Sequence, residues 1–173
     1  QRVVLPEDAV EVKELPADKA QYNFTDPQTS IMKASNKGFD QCGNAQAAVD
    51  AHSQVIVAQC VTNSSSDATQ LKPIVAQIKA NTDRQAAEFS ADAGYCSEEN
   101  LKELNRRHIN GYVATGRQKH GQKSATGERS IKNRPRVQAM RRKLRQGGWR
   151  SRYRLRKEIV EPVFGQTKQC RGF

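Results

Sequence analysis

Long apolar runs are missing from this sequence. None of its stretches approaches the ~18 consecutive apolar residues that a membrane-spanning helix needs, and none resembles the core of a signal peptide. The longest apolar stretches, such as Val55–Ala58, are only as long as a strand. Hydrophobic residues make up 36% of the 173 positions, which predicts a single domain with a modest core. A membrane protein is therefore not expected.

Closely spaced metal-binding cysteines are also missing. The four cysteines, Cys42, Cys60, Cys96 and Cys170, include no CxxC pair, and the three histidines form no ligand pair with them. This spacing argues against a secreted disulfide scaffold and predicts reduced thiols in a cytoplasmic protein. A zinc site would require ligands from distant parts of the chain.

Acidic residues are scarce in the C-terminal part of the chain. Residues 101–173 hold 21 basic and 4 acidic residues, whereas residues 1–100 hold 8 basic and 14 acidic residues. The net charge of +11 therefore originates from the C-terminal part. A surface this positive attracts polyanions because it releases their counterions. Nucleic-acid contact is favoured over the alternative, a solvated charged face.

Hydrophobic patterns predict an α/β fold with a mixed sheet and flanking helices. Residues 1–40 are rich in turn residues and are expected to form a linker, and residues 116–135 a mobile basic loop. The first element predicted between them is a β-hairpin over Asn44–Asp50 and Gln54–Val61, whose second segment is rich in β-branched residues. A helix is predicted over 71–78, because Leu71, Ile74, Val75 and Ile78 fall on one apolar face, and another helix is predicted from its cap, Ser97, to Arg107. Strands are predicted over 88–93 and 110–115. A basic helix over Val137–Leu144 should end at Gly147 and Gly148, and a second basic helix over Trp149–Lys168 should be kinked by Pro162.

Two carboxylates occupy positions that suit catalysis. Asp92 follows an apolar strand, and the carboxyl ends of strands are where α/β sheets place their sites. A carboxylate there can hold a hard cation, or alternatively cap a turn. Glu161 lies on a basic helix, on the same face as Lys157 and Lys168, where the alternative is a salt bridge with Lys157. Together they indicate metal-dependent phosphodiester chemistry.

Five short segments resemble bacterial insertion-sequence transposases of the DDE (Asp-Asp-Glu) class. They are Tyr22–Pro27, Asn44–Asp50, Ser90–Tyr95, Ala114–Arg117 and Ile159–Lys168. The resemblance implies a ribonuclease-H-like fold and two Mg²⁺ or Mn²⁺ ions, held by three carboxylates, that activate water and then a DNA 3′ hydroxyl. It also implies double-stranded DNA, both transposon ends and target, as the partner, and a homo-oligomer assembled on it.

The resemblance also implies roles for particular residues. Asp92 matches the second Asp of the triad, and Glu161 matches the Glu; both are the implied metal ligands and catalytic residues. The predicted DNA contacts are Tyr153, Arg154, Lys157, Lys168 and Arg171.

The first Asp of the triad has no match in this chain. In the family it lies on the first core strand and is usually followed by Gly-Thr, but no Asp-Gly occurs here. Asp26 and Asp50 fall in segments that follow that strand in the family. We therefore interpret 41–173 as a partial catalytic domain, with basic helices over 134–173, that lacks the first strand. The alternative is a non-catalytic nucleic-acid-binding protein or an inactive transposase remnant.

Overall fold

A computed structural model describes residues 24–26, 29–33, 38–116, 125–127 and 131–172. The predicted linker and the predicted basic loop lie largely outside these residues, but the described part of the predicted linker contains a strand, Ser30–Lys33. The domain boundaries remain a prediction. None of the helices in the described ranges is both long and apolar enough to cross a membrane.

Six strands in the described ranges form three separate pairs. Their bounds are β1 Ser30–Lys33, β2 Phe39–Cys42, β3 Asn44–Val49, β4 Ile56–Thr62, β5 Glu88–Ala91 and β6 Asn110–Val113. The β1–β2 and β3–β4 pairs are antiparallel, whereas β5 and β6 run parallel because a helix, Glu98–Arg106, crosses over between them. The hairpin and the α/β class are confirmed. Antiparallel and parallel ladders both occur, but no hydrogen-bonded ladder joins the pairs into one mixed sheet within the described ranges.

Four α-helices flank the strands in the part of the chain that the structure describes. They are α1 Leu71–Thr82, α2 Glu98–Arg106, α3 Pro135–Gly147 and α4 Leu155–Arg171. The predicted apolar face of α1 is buried through Leu71, Ile74 and Val75. The predicted cap of α2 is also confirmed, because the Ser97 hydroxyl accepts a hydrogen bond from the Asn100 amide at 3.1 Å.

The second basic helix begins later than its sequence predicts. Two short 3-10 turns, Gly148–Arg150 and Arg152–Arg154, precede α4, so the predicted start at Trp149 is wrong. Ser151 interrupts the helix because its backbone is extended, and its hydroxyl caps the second turn by accepting from the Tyr153 amide. The first basic helix ends as predicted at Gly147, and Gly148 follows it with a φ of +48°.

The core lies where α1, α2 and α3 pack against β5 and β6. Its most deeply buried side chains are Leu71, Val75, Leu104 and Val113. The N-terminus of α3 is fixed to that of α2, because the Glu98 carboxylate accepts from the Val137 amide at 2.9 Å. This packing holds the carboxyl end of β5 in a defined position.

Candidate functional site

A cleft of about 220 Å³ lies between β3, the end of β5 and α4. Asp92 stands at the carboxyl end of β5, as its position in the sequence predicts, and lines this cleft. A second carboxylate, Asp67, lines it from the turn that follows β4. The α4 helix contributes Arg156, Val160 and Phe164. The cleft therefore combines two acids with one guanidinium beside an apolar helix face.

Asp92 caps the 3-10 turn Ala93–Tyr95. Its Oδ1 accepts a hydrogen bond from the Gly94 amide at 3.0 Å, and its backbone is extended. The side chain is otherwise exposed to solvent. Capping occupies Oδ1 alone, so the turn-cap role and the cation-binding role are compatible. The cap orients the carboxylate, and Oδ2 is the atom that remains for a ligand.

Asp67 is a site residue that sequence reasoning missed. Its Oδ1 accepts hydrogen bonds from Asn44 Nδ2 at 2.8 Å and from Gln46 Nε2 at 2.9 Å. Asn44 and Gln46 alternate along β3, so their side chains point to the same face of the strand. Two amides at this spacing on a strand are the one local signal of a hydrogen-bond acceptor nearby.

Charged groups in the cleft shift the pKa values of two tyrosines, Tyr95 and Tyr153. Burial raises the pKa of Tyr95, and the carboxylates of Asp67 and Asp92 raise this pKa further. Burial also raises the pKa of Tyr153, where Asp92 acts in the same direction and Arg156 opposes it. Asp92 therefore acts on both phenols, Asp67 acts on Tyr95, and Arg156 acts on Tyr153.

Arg156 is a second cleft residue, which the sequence analysis did not single out as part of the site. Its guanidinium lies 5.5 Å from the centre of the Tyr153 ring. Its Nε is buried and has no hydrogen-bond partner within the described structure. The sequence does contain a signal for the position of Arg156. Arg156, Val160 and Phe164 are four residues apart, and residues at this spacing share one helix face. The apolar face of α4 meets the cleft, and Arg156 is the basic residue on that face.

The Asp92–Glu161 pairing remains a prediction. Glu161 is exposed on α4 and follows Val160, which lines the cleft, but Glu161 itself is not among the lining residues. The structure thus brings the helix of Glu161 to Asp92, through its neighbours on the helix. Lys157 and Lys168 are exposed on the same helix.

The remaining predicted DNA contacts lie in different environments. Tyr153 is buried, with 9% of its surface exposed, and packs with Ala114 and Leu144 in a second core cluster. Arg154 is exposed, and the side chain of Arg171 lies outside the described residues. Tyr153 is thus a packing residue in this structure, and its contact with DNA stays a prediction.

The position of α4 is fixed partly by Gln54, in the turn between β3 and β4. Pro162 has no N–H, so the Glu158 carbonyl loses its usual helical donor. Gln54 Nε2 supplies a replacement by donating to that carbonyl at 3.0 Å. The helix continues through Pro162, and its kink stays a prediction.

The cleft offers the kind of ligand that a divalent cation binds, but it offers too few of them. Asp67 and Asp92 offer carboxylate oxygens, which Mg²⁺ and Mn²⁺ prefer. Among the residues that the structure describes, however, no three His, Cys, Asp or Glu side chains are grouped closely enough to hold a metal.

An α/β domain that places carboxylates at a strand end beside a basic helix fits a nucleic-acid-processing enzyme. The family described as Transposase DDE domain matches residues 9–173, almost the whole chain. No curated protein and no solved structure matches the chain. The chain belongs to the DDE-domain transposase family. Membership implies a ribonuclease-H-like fold, polynucleotidyl transfer in DNA transposition, DNA binding and the use of divalent metals.

Proposed function

We propose that this chain carries out metal-dependent DNA strand cleavage and strand transfer as part of a bacterial insertion-sequence transposase. The observation that carries the proposal is the cleft in which Asp92, at the carboxyl end of β5, faces the α4 helix. The substrates are double-stranded transposon ends and target DNA, and the active form is a homo-oligomer on DNA.

Asp92 and Glu161 are the proposed ligands of Mg²⁺ or Mn²⁺. When bound, the metal supplies an activated water or hydroxyl and neutralises the charge that develops at phosphorus. Asp92 is oriented by the Gly94 amide before any ion arrives, which lowers the cost of ordering the ligand. Glu161 would complete the pair by a side-chain rotation or a shift of α4 toward the cleft.

Basic residues of α4, together with Arg154 in the turn before it, hold the DNA in this proposal. Arg156 is suited to the phosphate next to the metal because its guanidinium lines the cleft beside Asp92. Arg154, Lys157, Lys168 and Arg171 hold phosphates further along the backbone, where they contribute to affinity but not to sequence recognition.

A second candidate function is DNA binding without catalysis. The exposure of Glu161, outside the residues that line the cleft, favours this reading. In that case Glu161 is only a salt-bridge partner of Lys157, and the basic helices alone explain binding to DNA.

Calorimetric titration with Mn²⁺ distinguishes the two functions. We expect the chain to bind Mn²⁺, Asp92→Asn to abolish this binding, and both forms to bind duplex DNA equally well. Asp83→Asn is the matched control, because it removes the same charge from an exposed residue at the end of α1 whose left-handed backbone suits asparagine.

Two results would count against the proposal. Equal losses of metal affinity and DNA affinity in Asp92→Asn would show that the role assigned to Asp92 is wrong. A chain that binds no Mn²⁺ but binds DNA with a steep salt dependence would support the non-catalytic function instead.

A further inference from the structure

The turn that carries Asp92 is packed directly against Asp67. A Cβ atom built on Gly94 would overlap Asp67 Oδ2, so this position accepts only glycine unless the carboxylate moves. The amide of the same glycine donates to Asp92 Oδ1. Gly94 therefore contacts one carboxylate through its Cα side and holds the other through its N–H.

Asp67 is itself held firmly. Besides donating to Asp67, Asn44 Nδ2 donates to the Ser64 carbonyl at 3.1 Å, and Gln46 Nε2 donates to Asn44 Oδ1 at 2.8 Å. Gln46 is buried. These bonds join β3 to the turn of Asp67, and a carboxylate that accepts two amide donors has little freedom to rotate.

A buried asparagine joins the two turns independently. Asn100 Nδ2 donates to the Ala68 carbonyl at 2.7 Å and to the Tyr95 carbonyl at 2.8 Å. Ala68 belongs to the turn of Asp67, and Tyr95 belongs to the turn of Asp92. Only 2% of the surface of Asn100 is exposed. One buried amide group therefore links the two turns by hydrogen bonds to both.

We infer that Asp67 is a positioning residue for Asp92, acting through Gly94. The chain of contacts runs from the amides of β3 to Asp67, from Asp67 to Gly94, and from the Gly94 amide to Asp92 Oδ1. The functional meaning of this inference rests on the proposed role of Asp92 as a metal ligand. Groups that orient a ligand in this way typically contribute about 10–100-fold to metal affinity.

Two substitutions at Asp67 separate positioning from direct metal binding. Asp67→Ala removes the contact with Gly94, and we expect a loss of at least about tenfold in Mn²⁺ affinity. Asp67→Asn keeps the size of the side chain and an oxygen that can accept from Asn44 and Gln46. It should therefore lose much less affinity than Asp67→Ala. Asp40→Ala and Asp83→Asn, at exposed sites, are the matched controls.

Hydrogen exchange of the Gly94 amide provides a readout that does not depend on metal. Exchange should accelerate in Asp67→Ala and stay near the wild-type rate in Asp67→Asn and in both controls. Gly94→Ala tests the contact from the other side. Its new methyl group must displace Asp67 or the turn, so Mn²⁺ affinity should fall although neither carboxylate is removed.

The outcomes separate this inference from the proposed function. Unchanged Gly94 exchange in Asp67→Ala overturns the inference. So does an equal loss of Mn²⁺ affinity in Asp67→Asn and Asp67→Ala with Gly94 exchange preserved in Asp67→Asn, because Asp67 would then bind the ion itself. If the wild-type chain binds no Mn²⁺ but Gly94 exchange responds as expected, positioning is supported and the metal role of Asp92 fails.

Discussion

The acidic cleft and the basic helices of this protein differ in how their charged groups are held. In the cleft, Asp67 and Asp92 each accept hydrogen bonds that fix their orientation. On α4, Lys157 and Lys168 are exposed to solvent. The cleft is thus built in advance, whereas the basic side chains of α4 can adapt to a ligand.

The basic residues after position 100 also differ in what they contact. Lys143 of α3 donates to the Gly111 carbonyl at 2.7 Å and lies 4.0 Å from the centre of the Tyr112 ring. Arg152, just before α4, pairs with Glu88 at 2.7 Å. Some of the 21 cations after residue 100 therefore hold the fold together. Charge counting alone overestimates the surface that is available to DNA.

The largest expected effect is on the free energy of unfolding, and it compares a core side chain with an exposed side chain of α4. Leu104→Ala removes a side chain that is only 1% exposed, and we expect it to lower the free energy of unfolding by about 2–5 kcal/mol. Leu155→Ala, at a position that is 40% exposed, should change it by less than about 0.5 kcal/mol. Urea unfolding measures both, and equal losses would contradict the contrast between the two regions.

A smaller effect is expected at the contact where Glu98 of α2 holds the N-terminus of α3. Glu98→Ala removes the acceptor for the Val137 amide, and it should cost about 0.5–2 kcal/mol of stability because the start of α3 loses its cap. Glu99→Ala is the control, since this neighbour is exposed and pairs with Lys72 only at 3.8 Å. The idea fails if both variants unfold at the same urea concentration.

An exposed lysine, Lys157, and a lysine bonded within the fold, Lys143, should differ in their contribution to DNA binding. Lys157→Ala should reduce the slope of log affinity against log salt by about one, as expected for the loss of one phosphate contact. Lys143→Ala should leave the slope unchanged and destabilise the fold, because this lysine is bound to Gly111 and Tyr112. Fluorescence anisotropy at several salt concentrations measures the slopes. A reduced slope for Lys143→Ala would place α3 at the DNA.

The smallest expected effect concerns pH. Hydrogen bonds from Arg106 and Arg107 lower the pKa of Glu103 to about 2. The folded pKa is below the ordinary value of 4.5, so this group stabilises the fold above pH 4.5 and loses its contribution as pH falls toward 2. Glu103→Gln should flatten the acid limb of the stability profile in that window. An unaltered profile would show that the ion pairs contribute nothing.

Much of the fold follows from local patterns. Two apolar segments, the second rich in β-branched residues, predict the β3–β4 hairpin. The spacing of Leu71, Ile74 and Val75 predicts α1, and the cap at Ser97 predicts α2. Each signal lies within a few residues of the element that it specifies, because strand and helix periods are short. For the same reason, the position of Asp92 at the end of β5 could be predicted from its neighbours in the sequence. The start of α4 was missed because Ser151 acts through its backbone conformation.

The rest of the site depends on contacts between distant residues. Asp67 meets Asn44 and Gln46 across 23 and 21 residues, and no local pattern in the sequence specifies which loop faces β3. Arg156 and Lys157 are adjacent, but one step along a helix turns the side chain by about 100°. Only the packing of α4 decides which of the two reaches the cleft.

The central claim is that Asp92 and Glu161 hold the same ion, and Mn²⁺ calorimetry of Glu161→Gln tests it most directly. Glu158→Gln is the matched control, because it is an exposed acid on the same helix. We predict that Glu161→Gln and Asp92→Asn lose the same binding site, with no further loss in the double variant, while Glu158→Gln binds like the wild type. Unchanged Mn²⁺ affinity and stoichiometry in Glu161→Gln would contradict the claim.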